Sequence, residues 1–388
     1  MKYRPVRPND RSGSKRYDKV CVVQVGDRHT ELLGYFLSYF RDSDVDLVHR
    51  FESQYSYVKF FERSLGKRFA RVLREFDRKT RYDLVVLLTS NEAPMFRITL
   101  RKRIKRMLGT VGLLEPCMNI WMAFKNRRAQ RDIAAVPRNA PRTQGVHPPR
   151  RSTLFRNSRQ TIAICHLQQN VTTECRNLAF SPLVGTLPWL LPVIDGLPIR
   201  SASARNPAIC CMGLLEERYY QIIPEMALAM RDVTFRLFVR QAHPACMSLL
   251  AQLPNVVVAI GEGTESMMEY LTSSRYLLIL DHEDSRYRQD RLSGAIPVGL
   301  NLAVPMVMSR ELASVYDIRA GVVTYQGTPD ADLVRRLASI TPDEYAKLVA
   351  DMIPERSRLA QVASQRFSAF LDSEEADQRT SEFARVRA

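Results

Sequence analysis

A dense group of charged side chains at residues 281–291 is followed by a segment of small residues at 293–297. Seven of the eleven residues in DHEDSRYRQDR (281–291) are charged, and Ser293, Gly294 and Pro297 follow within SGAIP. A proline in the interior of a helix costs about 3 kcal/mol, because it lacks an N–H and its ring clashes with the preceding turn. We therefore predict that a helix begins at Ser293 or Gly294, either of which can be the N-cap, with Pro297 in its first turn.

The start of this predicted helix has the chemistry of an anion site. The first backbone N–H groups of a helix have no intrahelical partners and together carry about half a positive charge. Gly294 allows a phosphate to approach the backbone closely, and Arg288 and Arg291 can add charge-assisted hydrogen bonds. The sequence thus predicts a phosphate site at Ser293 and Gly294. The alternative is an ordinary turn capped by Ser293, with the charged side chains solvated.

Other polar residues follow predicted strands of the second half of the chain, at the edge where open parallel sheets bind ligands. Arg240 is a candidate for a pyrophosphate contact, and Glu262, directly after Gly261, for a base or a ribose contact. His282 follows the strand RYLLIL and is a candidate for a sugar contact. We expect these residues on the ligand side of the second domain.

Two residues in the first half are candidates for proton transfer. Asp27 follows the strand VCVVQV, where it can bind an acceptor or act as a base, although a plain turn is the alternative. His166 ends the strand TIAIC and can act as a general base or contact a sugar. A buried, hydrogen-bonded core histidine is the alternative interpretation of His166.

Several motifs with defined chemistry are absent from the sequence. The segment GDRHTELLG lacks the GxGxxG spacing of a dinucleotide fingerprint. There is no HExxH motif and no Ser-His-Asp order, and the seven cysteines are scattered without a CxxC pair. DVD at 44–46 has the DxD spacing of a metal site, but it lies at a predicted strand start rather than in a strand-end loop. We therefore predict no metal site and no cofactor, and a hydrolase is not indicated.

Short apolar runs alternate with amphipathic segments along most of the chain. In the first half, runs typical of buried strands occupy 20–25, 44–48, 82–90, 118–124 and 161–165. The segment from Val58 to Phe76 has apolar residues at helical spacing, which predicts one long amphipathic helix. The second half repeats five or six strand–helix units at regular spacing. This alternation predicts an α/β protein with doubly wound parallel sheets.

Composition changes along the chain predict its domain boundaries. A disordered basic tail at 1–17 precedes an N-terminal Rossmann-like domain at 18–200, which carries a flexible basic insertion at 125–160. A second Rossmann-like domain is predicted at 205–345. Helices are expected at 346–388, where they can cross back to the first domain.

Positive charge is concentrated in three segments. There are 22 Lys and Arg and two acidic residues in 1–17, 97–106 and 125–160 together. The net charge of these segments (22 − 2 = +20) exceeds the net charge of +16 of the whole chain, so the rest of the chain is mildly acidic. Such segments either remain solvated or, as the alternative for 1–17 and 125–160, contact an anionic surface. No nucleic-acid-binding module accompanies the charge, so no specific nucleic-acid recognition is predicted.

Hydropathy bears on the expected location. The 388-residue chain has no run of 18 apolar residues, and its basic first residues are not followed by an apolar signal segment. Together with the scattered cysteines, this pattern favours a cytoplasmic protein.

The segment from Pro207 to about Gln326 resembles the donor-binding half of glycosyltransferases with the GT-B fold. The resemblance lies in the order of a strand (LLILD), an acidic loop, a small-residue helix and a second strand (VPMVM). It implies two Rossmann-like domains that face a cleft, with the first domain binding the acceptor. It further implies metal-independent transfer of a sugar from a nucleotide-sugar donor to a glycan, protein or lipid acceptor, with the leaving diphosphate at Ser293 and Gly294.

The same resemblance assigns Asp290 to the first acidic residue of an E-x7-E pattern that frames the nucleotide sugar in retaining enzymes. Val298 stands at the second acidic position, so the resemblance leaves open whether the configuration is retained or inverted. Two other functions fit the sequence. One is a non-catalytic protein on the same scaffold that binds an anionic polymer or membrane through its basic loop. The other is a sugar-nucleotide epimerase of the GT-B fold.

Overall fold

Two parallel sheets organise the chain. The computed structural model describes residues 17–24, 32–49, 55–77, 79–88, 158–165, 175–183, 187–213, 222–239, 244–281 and 293–373. Within these residues each sheet has six strands, and all the strand pairs are parallel. The predicted α/β class with two doubly wound, Rossmann-like sheets is therefore confirmed.

The first sheet lies in the N-terminal half. Its strands are β1 Lys19–Gln24, β2 Asp44–His49, β3 Arg71–Leu73, β4 Tyr82–Leu87, β5 Ser158–Cys165 and β6 Arg176–Ala179. Two described helices, α1 Leu33–Tyr39 and α2 Tyr55–Leu65, belong to this half. The strand order is β3-β2-β1-β4-β5-β6. β1 and β4 are apolar and almost wholly buried, as continuous β-branched runs require when both faces of a sheet are covered.

The second sheet repeats this arrangement. Its strands are β7 Asn206–Gly213, β8 Thr234–Val239, β9 Val256–Ile260, β10 Ser274–Leu278, β11 Met306–Ser309 and β12 Val322–Tyr325. Its helices are α3 Ile222–Ala229, α4 Pro244–Leu250, α5 Thr264–Ser273, α6 Ala295–Asn301, α7 Arg310–Val315 and α8 Ala331–Ser339. The order β12-β11-β10-β7-β8-β9 is the first sheet's order read from the other side.

One long helix, α9 (Pro342–Asp372), contacts both halves. A capping box between Thr341 and Glu344 fixes its start. The hydroxyl of Tyr345 near this start donates to the carbonyl of Arg275 at 2.8 Å, beside the second sheet. Towards the other end, Arg176 of β6 donates to the carbonyl of Leu371 at 3.2 Å. The helix thus runs from the second sheet back to the first.

Buried polar contacts also join the two halves. The side-chain amide of Asn301, at the end of α6, accepts from the Ile194 N–H at 2.7 Å and donates to the Pro192 carbonyl at 3.3 Å. Arg356 of α9, which is 3% exposed, donates to the carbonyls of Leu197 and Asn301. The intervening segment 187–200 contains no helix and one isolated bridge.

The predicted long helix from Val58 to Phe76 is wrong. α2 ends at Leu65, and Gly66 follows with φ +61°, a conformation that glycine adopts without the strain other residues incur. Arg71 begins β3 instead, because it pairs with β2 and its guanidinium bonds to the buried carboxylate of Asp46. Phe69, Leu73 and Phe76 continue the apolar pattern past Gly66, but Val72 is exposed in β3.

One further difference concerns the last strand of the first sheet. β6 was not predicted, since RNLA is too short and too polar to be distinguished from a loop. The predicted strand 118–124, residues 1–16 of the basic tail and residues 125–157 of the predicted insertion 125–160 lie outside the described residues. Residues 158–160, the end of that predicted insertion, instead belong to β5. Among the helices of the described chain, none is long and apolar enough to cross a membrane.

Candidate functional site at the carboxyl edges of the sheets

The order of the strands determines where a ligand would bind. In each sheet the chain reverses its direction of progression between two central strands, β1 and β4 in the first sheet and β7 and β10 in the second. Open parallel sheets bind ligands in the crevice at the carboxyl ends of the strands beside this point. The candidate site therefore lies at the ends of β1, β4, β7 and β10 and at the segments that follow them.

A buried polar cluster closes the carboxyl edge of the second sheet. Asp281 follows β10 and is 0% exposed, and its carboxylate accepts a hydrogen bond from the Ser309 hydroxyl at 2.9 Å. Ser309 ends β11 and also caps α7, since its oxygen accepts from the Leu312 N–H at 3.1 Å. The Asp281 N–H donates to the hydroxyl of Tyr325, the last residue of β12, at 2.9 Å. Three neighbouring strand ends are thus fixed to one another.

This cluster adjoins a contact between the two halves. The hydroxyls of Tyr316 and Ser181 lie 3.0 Å apart and are buried. Burial raises the pKa of Tyr316, the bond to Ser181 opposes the rise, and the charge of Asp281 adds to it. Because Ser181 lies two residues after β6, the bond joins the carboxyl edge of the first sheet to the surroundings of Asp281.

The helix start predicted from Pro297 is confirmed. α6 begins at Ala295 with Gly294 as its N-cap, which places Pro297 in the first turn. Ser293 is 7% exposed, and the N-cap residue Gly294 makes no side-chain capping hydrogen bond. The Ser293 carbonyl accepts from the Ile296 N–H at 3.1 Å, and Pro297 has no N–H. The N–H groups of Gly294 and Ala295 are therefore the donors that this helix start offers to a ligand.

Glu262, a predicted donor contact, lies in a local ion-pair network. Its carboxylate accepts from Arg236 of β8 at 2.8 and 2.9 Å and from the Ser266 hydroxyl at 2.5 Å. Burial acts to raise the pKa of Glu262, but the hydrogen bonds from Ser266 and Arg236 outweigh it and the pKa lies below its ordinary value. Glu262 is consequently ionised at neutral pH and is a weak base.

Gly261 precedes Glu262 at the end of β9, and its backbone conformation accounts for the glycine. Its φ is +65°, and a Cβ added there would meet nothing within 4 Å. A side chain at Gly261 would be disfavoured by the backbone rather than by crowding.

Seven predicted site residues lie outside the described residues. They are Asp27, His166, Arg240, His282, Arg288, Asp290 and Arg291. The described ends of their strands are consistent with an edge position: β1 ends at Gln24, β5 at Cys165, and Asp281 comes directly before His282.

Sequence reasoning missed a pair of polar residues at the carboxyl edge of the first sheet. Gln24 and His49 are the last residues of β1 and β2 and are register partners. They are 0% and 5% exposed. The only signal in the sequence was a polar residue at the end of each apolar run. Asp281 carries the same signal, but in the sequence it is also the first residue of the charged segment 281–291. No group of three or more potential metal ligands occurs among the described residues.

Comparison with known proteins supports the architecture. No protein-family model matches the chain, and no curated protein matches it. Among solved structures, an alpha-glucosyltransferase in complex with UDP-glucose and DNA containing an abasic site is 10% identical, with a TM-score of 0.52. The match covers 91% of this chain and 99% of that chain.

Two further solved structures are similar to this chain. The alpha-glucosyltransferase in complex with UDP and a 13-mer DNA is 9% identical over 91% of this chain and 99% of that chain, with a TM-score of 0.51. AviGT4, a glycosyltransferase involved in Avilamycin A biosynthesis, is 13% identical over 90% of this chain and 98% of that chain, with a TM-score of 0.46. With its two six-stranded Rossmann-like sheets, this chain has the GT-B fold.

Proposed function

We propose that the protein is a glycosyltransferase that moves a sugar from a nucleotide-sugar donor to an acceptor. One observation carries the proposal: two sheets of Rossmann strand order have buried polar residues at their carboxyl edges, joined there by Tyr316 and Ser181. Nucleotides bind at this edge of such sheets. The solved alpha-glucosyltransferase of the same fold is a complex with UDP-glucose, which supports the same class of donor here.

The donor would bind at the second sheet. Asp281, held by Ser309 and Tyr325, fixes the point where the chain leaves β10. The segment that follows carries Arg288, Asp290 and Arg291 and returns at Ser293 and Gly294. In this arrangement the N–H groups of Gly294 and Ala295 and the two arginines meet the diphosphate. Arg240, His282, Gly261 and Glu262 are proposed for the outer part of the donor site.

The first sheet would supply the acceptor side. An oxygen of the acceptor attacks the anomeric carbon of the sugar while the nucleoside diphosphate leaves with its electron pair. The acceptor proton passes to a base, for which we propose Asp27 or His166. Positive groups at the diphosphate stabilise the charge that develops on the leaving group, and this stabilisation lowers the barrier. With two arginines in this role, the transfer is proposed to need no metal and no cofactor.

Calorimetry with UDP, ADP, GDP and dTDP tests the donor site, followed by turnover of the matching nucleotide sugars in the presence of EDTA. We expect one nucleoside diphosphate to bind. The Arg291→Ala variant should lose about tenfold or more in affinity, since a charge-assisted hydrogen bond contributes about 1.5–3 kcal/mol. Arg319→Ala is the matched control, because Arg319 is exposed and pairs with Asp317. If no nucleoside diphosphate binds, the proposal is wrong.

A second candidate is a non-catalytic protein that binds an anionic polymer or membrane. The concentration of basic residues in 1–17 and 125–160 favours it. Its affinity would fall steeply with salt. On duplex DNA, log K falls by about 0.9 per tenfold increase in salt concentration for each phosphate that the protein neutralises. Nucleotide binding in a crevice should depend on salt much less. Conversion of a nucleotide sugar with no acceptor present would instead identify a sugar-nucleotide epimerase.

A further inference from the structure

Exposed apolar side chains cluster around strand β9, at one edge of the second sheet. In the described part of the chain, the exposed large apolar residues are Val72, Leu228, Leu249, Val257 and Ile260. Val257 and Ile260 belong to β9, and Leu249 lies on α4 just before it. Leu228 lies on α3, beside Ala227, whose carbonyl accepts from the side chain of Asn255 at the start of β9. Apolar clusters of this kind mark interaction surfaces.

The other three sheet edges are protected. β3 has three residues and begins with a charged arginine. β6 is covered where Ala179 forms a bridge with Trp189. At β12 the side chain of Arg336 donates to the outward carbonyl of Thr324. By contrast, β9 is five residues long, has no charged or proline residue, and pairs with β8 alone among the described strands. Edges without such protection are templates for pairing with another strand.

The register with β8 determines which backbone groups of β9 point outward. Phe235 of β8 donates to the Asn255 carbonyl, and Gly261 donates to the Val239 carbonyl, so the odd-numbered residues from 255 to 261 face β8. The carbonyl of Val256 and the backbone groups of Val258 and Ile260 therefore point away from β8, whereas the Val256 N–H donates to the Leu253 carbonyl at 3.1 Å. These groups lie at equal spacing on either side of Val258.

We propose that β9 pairs with β9 of a second copy of this chain, antiparallel and about a two-fold axis at Val258. The two Val258 residues then exchange N–H···O=C bonds, and Ile260 donates to Val256 of the partner copy. Val256 lies opposite Ile260 and Val257 opposite Ala259, so the contacts on both faces are apolar. Cross-strand pairs of β-branched residues stabilise such a pairing, and a two-fold contact is the usual form of a homodimer.

Charges near the strand are compatible with this register. Extending it by two residues places Glu262 opposite Pro254, so the two Glu262 carboxylates do not lie opposite each other. The pairing merges two six-stranded sheets into one of twelve strands. The paired strands lie away from Asp281, because β10 is separated from β9 by β7 and β8. The inference is therefore independent of the proposed transferase activity.

Sedimentation equilibrium of the full chain tests the proposal. A strand contact with a few flanking apolar side chains lies at the small end of specific interfaces. We therefore expect a reversible dimer, whose average mass rises from 44.5 kDa towards twice that value over about 1–100 μM protein. Ile260→Lys should remain monomeric over this range, because two ammonium groups would enter an apolar contact. Val72→Lys, an equivalent change on edge strand β3, should still form dimers.

A second variant tests the backbone part of the proposal. Val258→Pro removes an outward N–H that β8 does not use, so the variant should keep its circular dichroism spectrum and lose the dimer. Hydrogen exchange should show slower exchange at the Val258 and Ile260 amides at high protein concentration than at low. A wild-type chain that stays monomeric at 100 μM, or a dimer that survives Ile260→Lys, would overturn the proposal.

Discussion

Replacing Ser309 by alanine removes one hydroxyl that makes two hydrogen bonds at the buried edge of the second sheet. The hydroxyl donates to the Asp281 carboxylate at 2.9 Å and accepts from the Leu312 N–H at 3.1 Å. Both Ser309 and Asp281 are 0% exposed. Loss of an N-cap costs about 1 kcal/mol, and a hydrogen bond to a charged group contributes about 1.5–3 kcal/mol.

Because one hydroxyl makes both bonds and water cannot easily reach the carboxylate, we expect Ser309→Ala to lower the free energy of unfolding by about 2–4 kcal/mol. Ser314→Ala on the same helix is the matched control. Ser314 is exposed, so its removal should change the free energy of unfolding by less than about 0.5 kcal/mol.

Urea unfolding, followed by circular dichroism and by tryptophan fluorescence, measures this difference. The two signals must give coincident transitions before one free energy is assigned to a chain of this size. A loss below about 1 kcal/mol for Ser309→Ala, or a loss equal to that of Ser314→Ala, would refute the role given to the cluster. Nucleotide affinity of the two variants provides a second measurement, since only Ser309→Ala should weaken donor binding through Asp281.

Three further predictions follow from packing and ionisation. Gly34→Ala should lower the free energy of unfolding by about 1–3 kcal/mol, because an added Cβ would lie 2.3 Å from the Phe61 ring; an unchanged urea midpoint would contradict this. The difference in the free energy of unfolding between wild type and Glu262→Gln should be largest at neutral pH. A carboxylate whose pKa is lowered on folding stabilises the folded protein at pH values above its unfolded pKa of 4.5. That difference should vanish as the pH falls through the pKa of Glu262 in the folded state. A difference that does not change with pH would refute the prediction. Burial raises the pKa of Cys210 and of Cys211 to about 12, so iodoacetamide at pH 8 should modify them only after unfolding, as peptide mass spectrometry will show.

The local pattern of the sequence was sufficient for most of the fold. Apolar runs such as VCVVQ and TIAIC can be buried only as strands when glycine or polar residues bound them, and their alternation with helices requires parallel crossovers. Pro297 located the start of α6, because the steric demand of proline acts within a few residues. The resemblance to GT-B enzymes rested on the same order of elements.

Tertiary structure decided the rest, because the deciding contacts join distant residues. β3 is a strand because Arg71 reaches Asp46, 25 residues earlier, and no helical pattern contains that pairing. The cluster of Asp281, Ser309 and Tyr325 spans up to 44 residues and forms only because three neighbouring strands end at one edge. Sequence determines which segments can be buried, whereas the order of strands in the sheet determines which polar ends meet.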